Sequence, residues 1–590
     1  MNHENNQQEQ GMEQYFFRAS AEDFKKIPGS PIAYSASKEM LDLFEHGSLA
    51  SCADARLGMA TADNNLFLRH WFEVGVLNVN HNAGSRDEAK RSRKKWFPYQ
   101  KGGDYRKWFG NLDYYVNWAN DGEAIKSFKD ISTGKVRSHN YNLGYIFKRG
   151  VTWNALTSSN TSARLSENSI FDNAGSSLFV KTKLPEEVFL GLLNSNIMLK
   201  VFPLISPTLN YQPGDIAKLP AYFPKKLVDR SKILISEMIS ISRLDWDSYE
   251  SSWGFSNHPI LKFKNDQKLL EDVCKSIREK LLNKILELQY LEQENNRIFI
   301  EVYGLQDELA PEVPLKEITL TCNPHYRYKG NKTEAELEAL LLSDTLREFI
   351  SYAVGCMFGR YSLDKEGLIL ANQGETLQEY LKQIPQPSFQ PDDDNVLPLI
   401  DLELERGKQE DWFEDDISER FKIFLKVTFG SDHYAKNLRF IEEAIGKDIK
   451  KLFLKDFYSD HIKRYKKRPI YWLFSSPKGS FNALIYMHRY RPDTVSVVLN
   501  DYLREFATKL SARKESYEQT SISMDASPSD KTKALKAIEK ITKVQQEIKD
   551  YEHDILYPLA GQNIEIDLDD GVKQNYPLFG KALKKVAGLS

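Results

Sequence analysis

Apolar residues change their spacing several times along this chain of 590 residues. From about Asp266 to Asn296, Val273, Ile277, Leu281, Ile285 and Leu288 recur every three or four positions among charges, which predicts an amphipathic α-helix. Leu535, Ile538, Ile541, Val544 and Ile548 do the same within about Lys531–Ile555, and another helix is expected near Glu334–Phe358. Without sustained heptads, these long helices are expected to pack against a body and not to stand as coiled-coil arms. From Tyr15 to about Phe223 the pattern differs: short apolar runs among Gly, Asn, Ser and aromatics predict short strands and long loops. Residues 301–390 read as mixed, and in Leu315–Thr321 the alternation of Ile318 and Leu320 with polar neighbours predicts a strand. PQPSFQPDDDN (385–395) breaks the chain, and 410–515 reads as mostly helical.

These changes divide the sequence into a disordered Gln/Asn/Glu-rich leader (1–14), a strand- and loop-rich domain (15–225), a helical spacer (226–300), an α+β segment (301–390) and a mainly helical C-terminal domain (391–590). The expected fold class is mixed α+β. At 41% hydrophobic residues the chain can bury several cores. Its formal net charge of −3 announces no polyanion partner, so any nucleic-acid surface must be local. Cys52, Cys274, Cys322 and Cys356 are scattered, which argues against a zinc finger or a disulfide framework and fits a reducing compartment. No run of about 18 apolar residues is present and the polar N-terminus lacks a signal-peptide core, so no membrane partner and a cytoplasmic location are expected.

The strongest local signal is KRSRKKWFPYQKGGDYRKWFG, residues 90–110. Between Arg86 and Phe109, nine Lys or Arg face three acids, with Trp96, Phe97, Tyr99, Tyr105, Trp108 and Phe109 interleaved. Cations that neutralise phosphates release counterions, and planar side chains can contact sugars and bases. Gly102-Gly103 offers a turn where backbone can approach a phosphate. The bland alternative is a solvated basic loop over a small aromatic core. A second candidate lies in residues 150–179, where Ser158, Ser159, Asn160, Thr161, Ser162 and Arg164 crowd hydrogen-bonding groups suited to base edges. His461–Arg468 is a third basic stretch, read either as a phosphate grip or as a charged helix end. Asp392-Asp393-Asp394 lacks the spacing of a calcium loop and reads as a surface turn.

Within TLTCNPHYRYKG (319–330), Asn323-Pro324-His325-Tyr326 is close to the Asn-Pro-Pro-Tyr tetrapeptide of enzymes that methylate the adenine amino group. There the Asn side chain accepts from the amino group and the aromatic ring stacks on the extruded base. His325 replaces the second proline, and no Phe-x-Gly-x-Gly follows a strand upstream, so the tetrapeptide reads as coincidence.

A longer series of segments runs in one order: FKKIPGSPIAY (24–34), KWFPYQKGGDYRKWFGNLDYYVNW (95–118), GVTW (150–153), IFDNAGSSLF (170–179), PTLNYQPGDI (207–216), RLDWDSYESSWGF (243–255), SYAVGCMFGRYSLDKEGLILANQGET (351–376) and KRPIYWLFSSPKGSFNALIYMHRY (467–490). Together they resemble the target-recognition region and C-terminal half of PglX-type adenine-specific DNA methyltransferases of BREX phage-defence systems. The resemblance implies that 15–225 is a DNA target-recognition domain, completed by 301–390. It makes Lys94, Lys95, Trp96, Tyr99, Lys101, Arg106, Lys107, Trp108, Ser158, Ser159, Asn160 and Arg164 candidate DNA contacts. It further implies that the partners are double-stranded DNA and a methyltransferase catalytic domain, or other BREX components. The family's cofactor loop and catalytic tetrapeptide have no counterpart in the sequence. No cofactor is therefore expected on this chain, S-adenosylmethionine is expected on the catalytic partner, and the chain alone is expected to be inactive. The rival readings are an active methyltransferase using Asn323 and Tyr326, and an interaction scaffold in a defence complex.

Overall fold

The computed structural model of the protein describes residues 20–34, 36–155, 162–206, 210–404 and 412–589. Helices predominate and the strands form small sheets, a mixed α+β architecture as expected. Two compact units interleave along the chain: Met1–Leu68, Asn80–Trp246 and Lys280–Gly330 make the first, and Arg69–Val79, Asp247–Glu279 and Asn331–Ser590 the second.

In the first unit, β1 (Ala53–Arg56), β4 (Gly150–Trp153), β5 (Ala163–Ser166) and β7 (Ser177–Val180) form an antiparallel sheet in the order β1-β7-β4-β5. A second sheet is centred on β2 (Trp96–Gln100), which pairs antiparallel with β3 (Tyr114–Asn117) and parallel with β6 (Ile170–Phe171). Four helices carry or support the basic run and its partners: α1 (Arg86–Ser92), α2 (Glu186–Leu193), α3 (Lys225–Trp246) and α4 (Leu270–Tyr303). Val188 and Phe189 of α2, Ile235 of α3 and Leu288 and Phe299 of α4 join Trp153 and Leu165 in one core. Full burial of such side chains contributes about 1.5–3 kcal/mol each, so this core holds the helices on the sheet. A smaller core of Phe97, Tyr99, Val116, Trp118, Ile125 and Phe171 underlies the second sheet.

The predicted helix over Asp266–Asn296 is α4, which continues to Tyr303 because Asn295 and Asn296 do not act as stops. Their buried amides donate instead to Gly191 O (3.1 Å) and Pro311 O (3.0 Å). The strand expected over Leu315–Thr321 is not formed. Leu315–Glu317 is a single 3₁₀ turn, and Asn323 caps a short helix at Pro324–Arg327. Asn at the cap followed by Pro at the first helical position is a strong helix start, and it outweighs two alternating apolar residues.

In the second unit, α5 (Glu334–Met357) starts at a reciprocal cap between Thr333 and Glu336, close to the predicted boundary. Its sheet has the order β9-β10-β8, from β8 (Val396–Pro398), β9 (Tyr471–Ser475) and β10 (Asn482–Tyr486). Helices α6 (Arg504–Ile522) and α7 (Pro528–Tyr551) pack on each other. The β9–β10 hairpin lies inside the stretch read as helical. Every residue of both strands is buried, so no polar–apolar alternation marks them. Glu547 of α7 clamps the hairpin turn, accepting from Ser476 Oγ (2.6 Å), Lys478 N (2.7 Å) and Ser480 Oγ (2.6 Å).

The basic stretch His461–Arg468 ends the helix Tyr458–Arg464, where His461 Nε2 accepts from Ile470 N (3.1 Å) and Tyr471 N (3.0 Å). Asp392, read as part of a surface turn, is buried, while Asp393 is exposed. Burial, then the neighbouring Asp394 carboxylate, pushes the Asp392 carboxyl well above its usual range, and burial raises Asp394 and Asp415 as well. Among the described residues no single helix is long and apolar enough to cross a membrane.

Candidate nucleic-acid interface

The basic-aromatic run divides into two parts of opposite environment. Beyond β2 the backbone turns at Gly102 (φ +80°) and Gly103 (φ +148°), and a Cβ on Gly103 would meet the Asn111 side chain at 2.8 Å. The chain then dives inward. Arg106 is buried and its guanidinium is fully engaged: Nη2 donates to Asp245 Oδ2 (2.8 Å), Nε to Phe109 O (2.8 Å) and Nη1 to Thr321 Oγ1 (2.9 Å). It also lies 4.9 Å from the Trp246 ring. Lys107, also buried, donates to Glu292 Oε2 (2.7 Å), and Trp108 Nε1 donates to Oε1 of the same carboxylate (2.7 Å). Burial alone would lower the Lys107 ammonium, but Glu292 outweighs it and holds the group above its usual range.

Trp108 sits at φ 71°, a backbone region that costs a bulky residue about 1–3 kcal/mol unless its surroundings impose it. Here Trp108 N donates to Ala163 O and Leu165 N to Trp108 O, both at 2.9 Å, which ties the residue to β5. Arg164 on β5 completes the clip. Its Nη1 donates to Arg106 O (3.0 Å) and its Nη2 to Asn154 Oδ1 (2.7 Å), while Asn154 Nδ2 donates to Gly103 O (2.6 Å). Burial, and then repulsion from Arg106, brings the Arg164 guanidinium down to about 10. Ser158, Ser159 and Asn160 lie outside the described residues.

Tyr99 and Lys101 both address Asp172. The Tyr99 hydroxyl donates to Oδ2 at 2.6 Å, and Lys101 Nζ is 3.6 Å from the same oxygen. Trp96 is buried in β2, with Lys95 Nζ 5.3 Å from its ring centroid. Lys94, Lys95 and Lys101 are half-buried.

The other part of the run is open. Ser85 caps α1, which ends at Arg93 in a left-handed conformation, and Lys90, Arg91 and Arg93 are exposed. A groove of about 600 Å³ is lined by Lys90 of α1 and by Asn120, Asp121, Glu123, Lys126 and Ser127. Arg86 Nε (2.9 Å) and Lys126 Nζ (2.6 Å) both donate to Asp121. Burial alone would raise that carboxyl, but the two cations hold it down at about 2. The exposed cations of α1 can exchange counterions with a polyanion, whereas the buried ion pairs of Arg106 and Lys107 cannot. The charge count of the sequence contained both sets. Only the carboxylates of α3 and α4 separate them.

The Asn323 side chain is engaged within its own turn. Asn323 is buried, its Nδ2 donates to Leu315 O and Ile318 O (both 2.8 Å), and its Oδ1 accepts from His325 N at 3.2 Å. Tyr326 donates its hydroxyl to Tyr105 O. Among the strands β1–β10, β2–β6 is the one parallel pair, so these sheets are not of the doubly wound parallel kind.

No protein-family model matches the chain. It is 36% identical over 585 residues to "Adenine-specific methyltransferase PglX" of Lacticaseibacillus casei (strain Zhang), a match covering 95% of this chain and 45% of that protein. It is 34% identical over 591 residues to "Adenine-specific methyltransferase BrxX" of Escherichia coli O9:H4 (strain HS), covering 96% of this chain and 46% of that protein. The chain is thus homologous to these methyltransferases over nearly all of its own length, and it spans about half the length of the curated relatives it matches.

Proposed function

We propose that this chain supplies DNA recognition for adenine methylation in a BREX-type defence system. It binds duplex DNA sequence-selectively and presents the target adenine to a methyltransferase domain provided from outside these residues. S-adenosylmethionine binds to that domain, which together with other components of the system is this chain's protein partner. The observation that carries the reading is homology to adenine-specific methyltransferases over 95% of the chain. The Asn323 side chain, buried and committed to its own turn, supports assigning catalysis to that other domain. DNA contact falls to the cations that remain accessible, Lys94, Lys95 and Lys101, together with Lys90 and Arg91 of α1 and its C-cap Arg93. Arg106, Lys107, Trp108 and Arg164 act one layer below, fixing the shape of the loop that those cations flank. Trp96 and Tyr99 belong to the same supporting layer.

The test is fluorescence-anisotropy binding of the purified chain to mixed-sequence duplex DNA across a salt series. Binding should weaken with salt, and replacing Lys90, Arg91 and Arg93 by Ala should reduce the slope of log K against log salt by roughly 2–3, at about 0.9 per phosphate contact. Wild-type protein that does not bind DNA even at low salt would overturn the reading.

A further inference from the structure

Residues 128–137 form a small hairpin that follows the helix Ala119–Lys126. Lys129 and Val136 pair antiparallel, Asp130 N donates to Lys135 O (2.9 Å), and Arg137 N donates to Phe128 O (2.9 Å). Its base is anchored. Phe128 packs edge-on against Phe67 with centroids 5.2 Å apart, Ser138 Oγ donates to Ile125 O (2.7 Å), and His139 bridges Ala60 through two backbone hydrogen bonds. The tip is ordered from within. Asp130 Oδ1 accepts from Ser132 N (3.1 Å) and Thr133 N (2.9 Å) and from both hydroxyls, which hold its carboxyl down at about 2. Gly134, at φ +67°, closes the turn.

On this pre-shaped tip stands Ile131, 105% exposed, the most exposed large apolar side chain among the described residues. A bulky aliphatic group fully in water at the apex of a turn gains no burial within this chain and offers its whole apolar surface to a partner. Around it Lys129, Lys135 and Arg137 are exposed, and Arg137 is aligned by its guanidinium 5.3 Å from the Phe128 ring centroid. The single acid of the tip, Asp130, is turned onto the turn's own donors. Three cations flanking an apolar apex on a tight turn closed by one β-bridge match the chemistry of duplex DNA. A projecting turn can approach a groove, its flanking cations face phosphates, and an aliphatic tip can contact a thymine methyl or wedge at a base step.

We propose that the hairpin 128–137 is a DNA-reading arm, with Ile131 entering a groove of the duplex and Lys129, Lys135 and Arg137 gripping the flanking phosphates. This rests on the DNA-recognition reading above and adds a contact element outside the basic-aromatic run.

The test compares three proteins in the same salt-series titration with duplex DNA: the full chain, Ile131→Ser, and Lys129→Ala/Lys135→Ala/Arg137→Ala. Ile131→Ser should weaken binding about 10-fold with an unchanged salt slope, the size expected for loss of one good base contact. The triple variant should lower the slope by roughly 2–3. The substituted side chains are exposed, so thermal unfolding should match the parent and exclude misfolding as the cause. If the full chain binds DNA and both variants bind identically to it, the arm inference fails alone, and a role in docking a protein takes its place. If the full chain does not bind DNA, the recognition reading fails and the arm inference falls with it.

Discussion

Arg106 and Lys107 lie one strand further along the same basic run than Lys90, Arg91 and Arg93, and the two groups meet opposite fates. The first pair is buried against carboxylates 139 and 185 residues away in sequence, Asp245 on α3 and Glu292 on α4. The second group stands in solvent on α1 and at its C-cap, Arg93, and the one buried residue of that helix is Ala89. Cations of one type, counted together in the sequence, are thus structural rivets in one place and available charge in the other. The difference lies in whether a distant helix delivers an acid. Desolvating a lone cation costs several kcal/mol, so a Lys or Arg goes inside only where a partner waits.

Breaking a rivet should have the largest effect. Asp245→Ala removes the Arg106 partner and the acceptor of Thr321 N and Cys322 N. Leaving that charge buried should cost roughly 3–5 kcal/mol in chemical denaturation. A loss below about 1 kcal/mol would show that the pair is not what holds the loop. Glu292→Gln keeps an acceptor for Trp108 Nε1 while removing the charge opposite Lys107. It should cost less, roughly 1.5–3 kcal/mol, the range for a hydrogen bond to a charged group.

The buried acid pair of the second unit tests the comparison in mirror image. Asp392 and Asp394 both have raised carboxyl values in the folded protein, so the folded state holds protons that the unfolded chain releases. Stability from this source is present below the ordinary carboxylate range and is lost as pH rises from there through the folded values. Asp392→Asn should therefore raise the thermal midpoint at pH 8, by an amount corresponding to at least about 1 kcal/mol, and the gain should shrink toward pH 4. A variant destabilised equally at both values would show instead that the carboxylate is needed as an acceptor of Val396 N.

The smallest stability effect belongs to the exposed group. Replacing Lys90, Arg91 and Arg93 by Ala should leave unfolding within about 0.5 kcal/mol per position, as is usual on an open surface. A large loss of stability would place these cations in the structural class and erase the contrast between the two halves of the run.

Periodicity by itself marked two of the long helices. Three- and four-residue spacing marked α4 and α7, and the helix expected near Glu334–Phe358 is α5, whose start the structure places at a reciprocal cap between Thr333 and Glu336. Helix geometry repeats within a few residues, so its signal is local. The order of long segments also carried the relationship to adenine-specific methyltransferases, which the comparison across 95% of the chain upholds. Tertiary structure decided the rest. The β9–β10 hairpin was hidden because strands buried on both faces show no alternation, and the Asn323 turn displaced an expected strand because cap chemistry outweighed two apolar residues. Above all, the burial of Arg106 and Lys107 depended on acids brought by α3 and α4. A side chain's burial is a property of its neighbours in space, and spacing along the chain does not contain it.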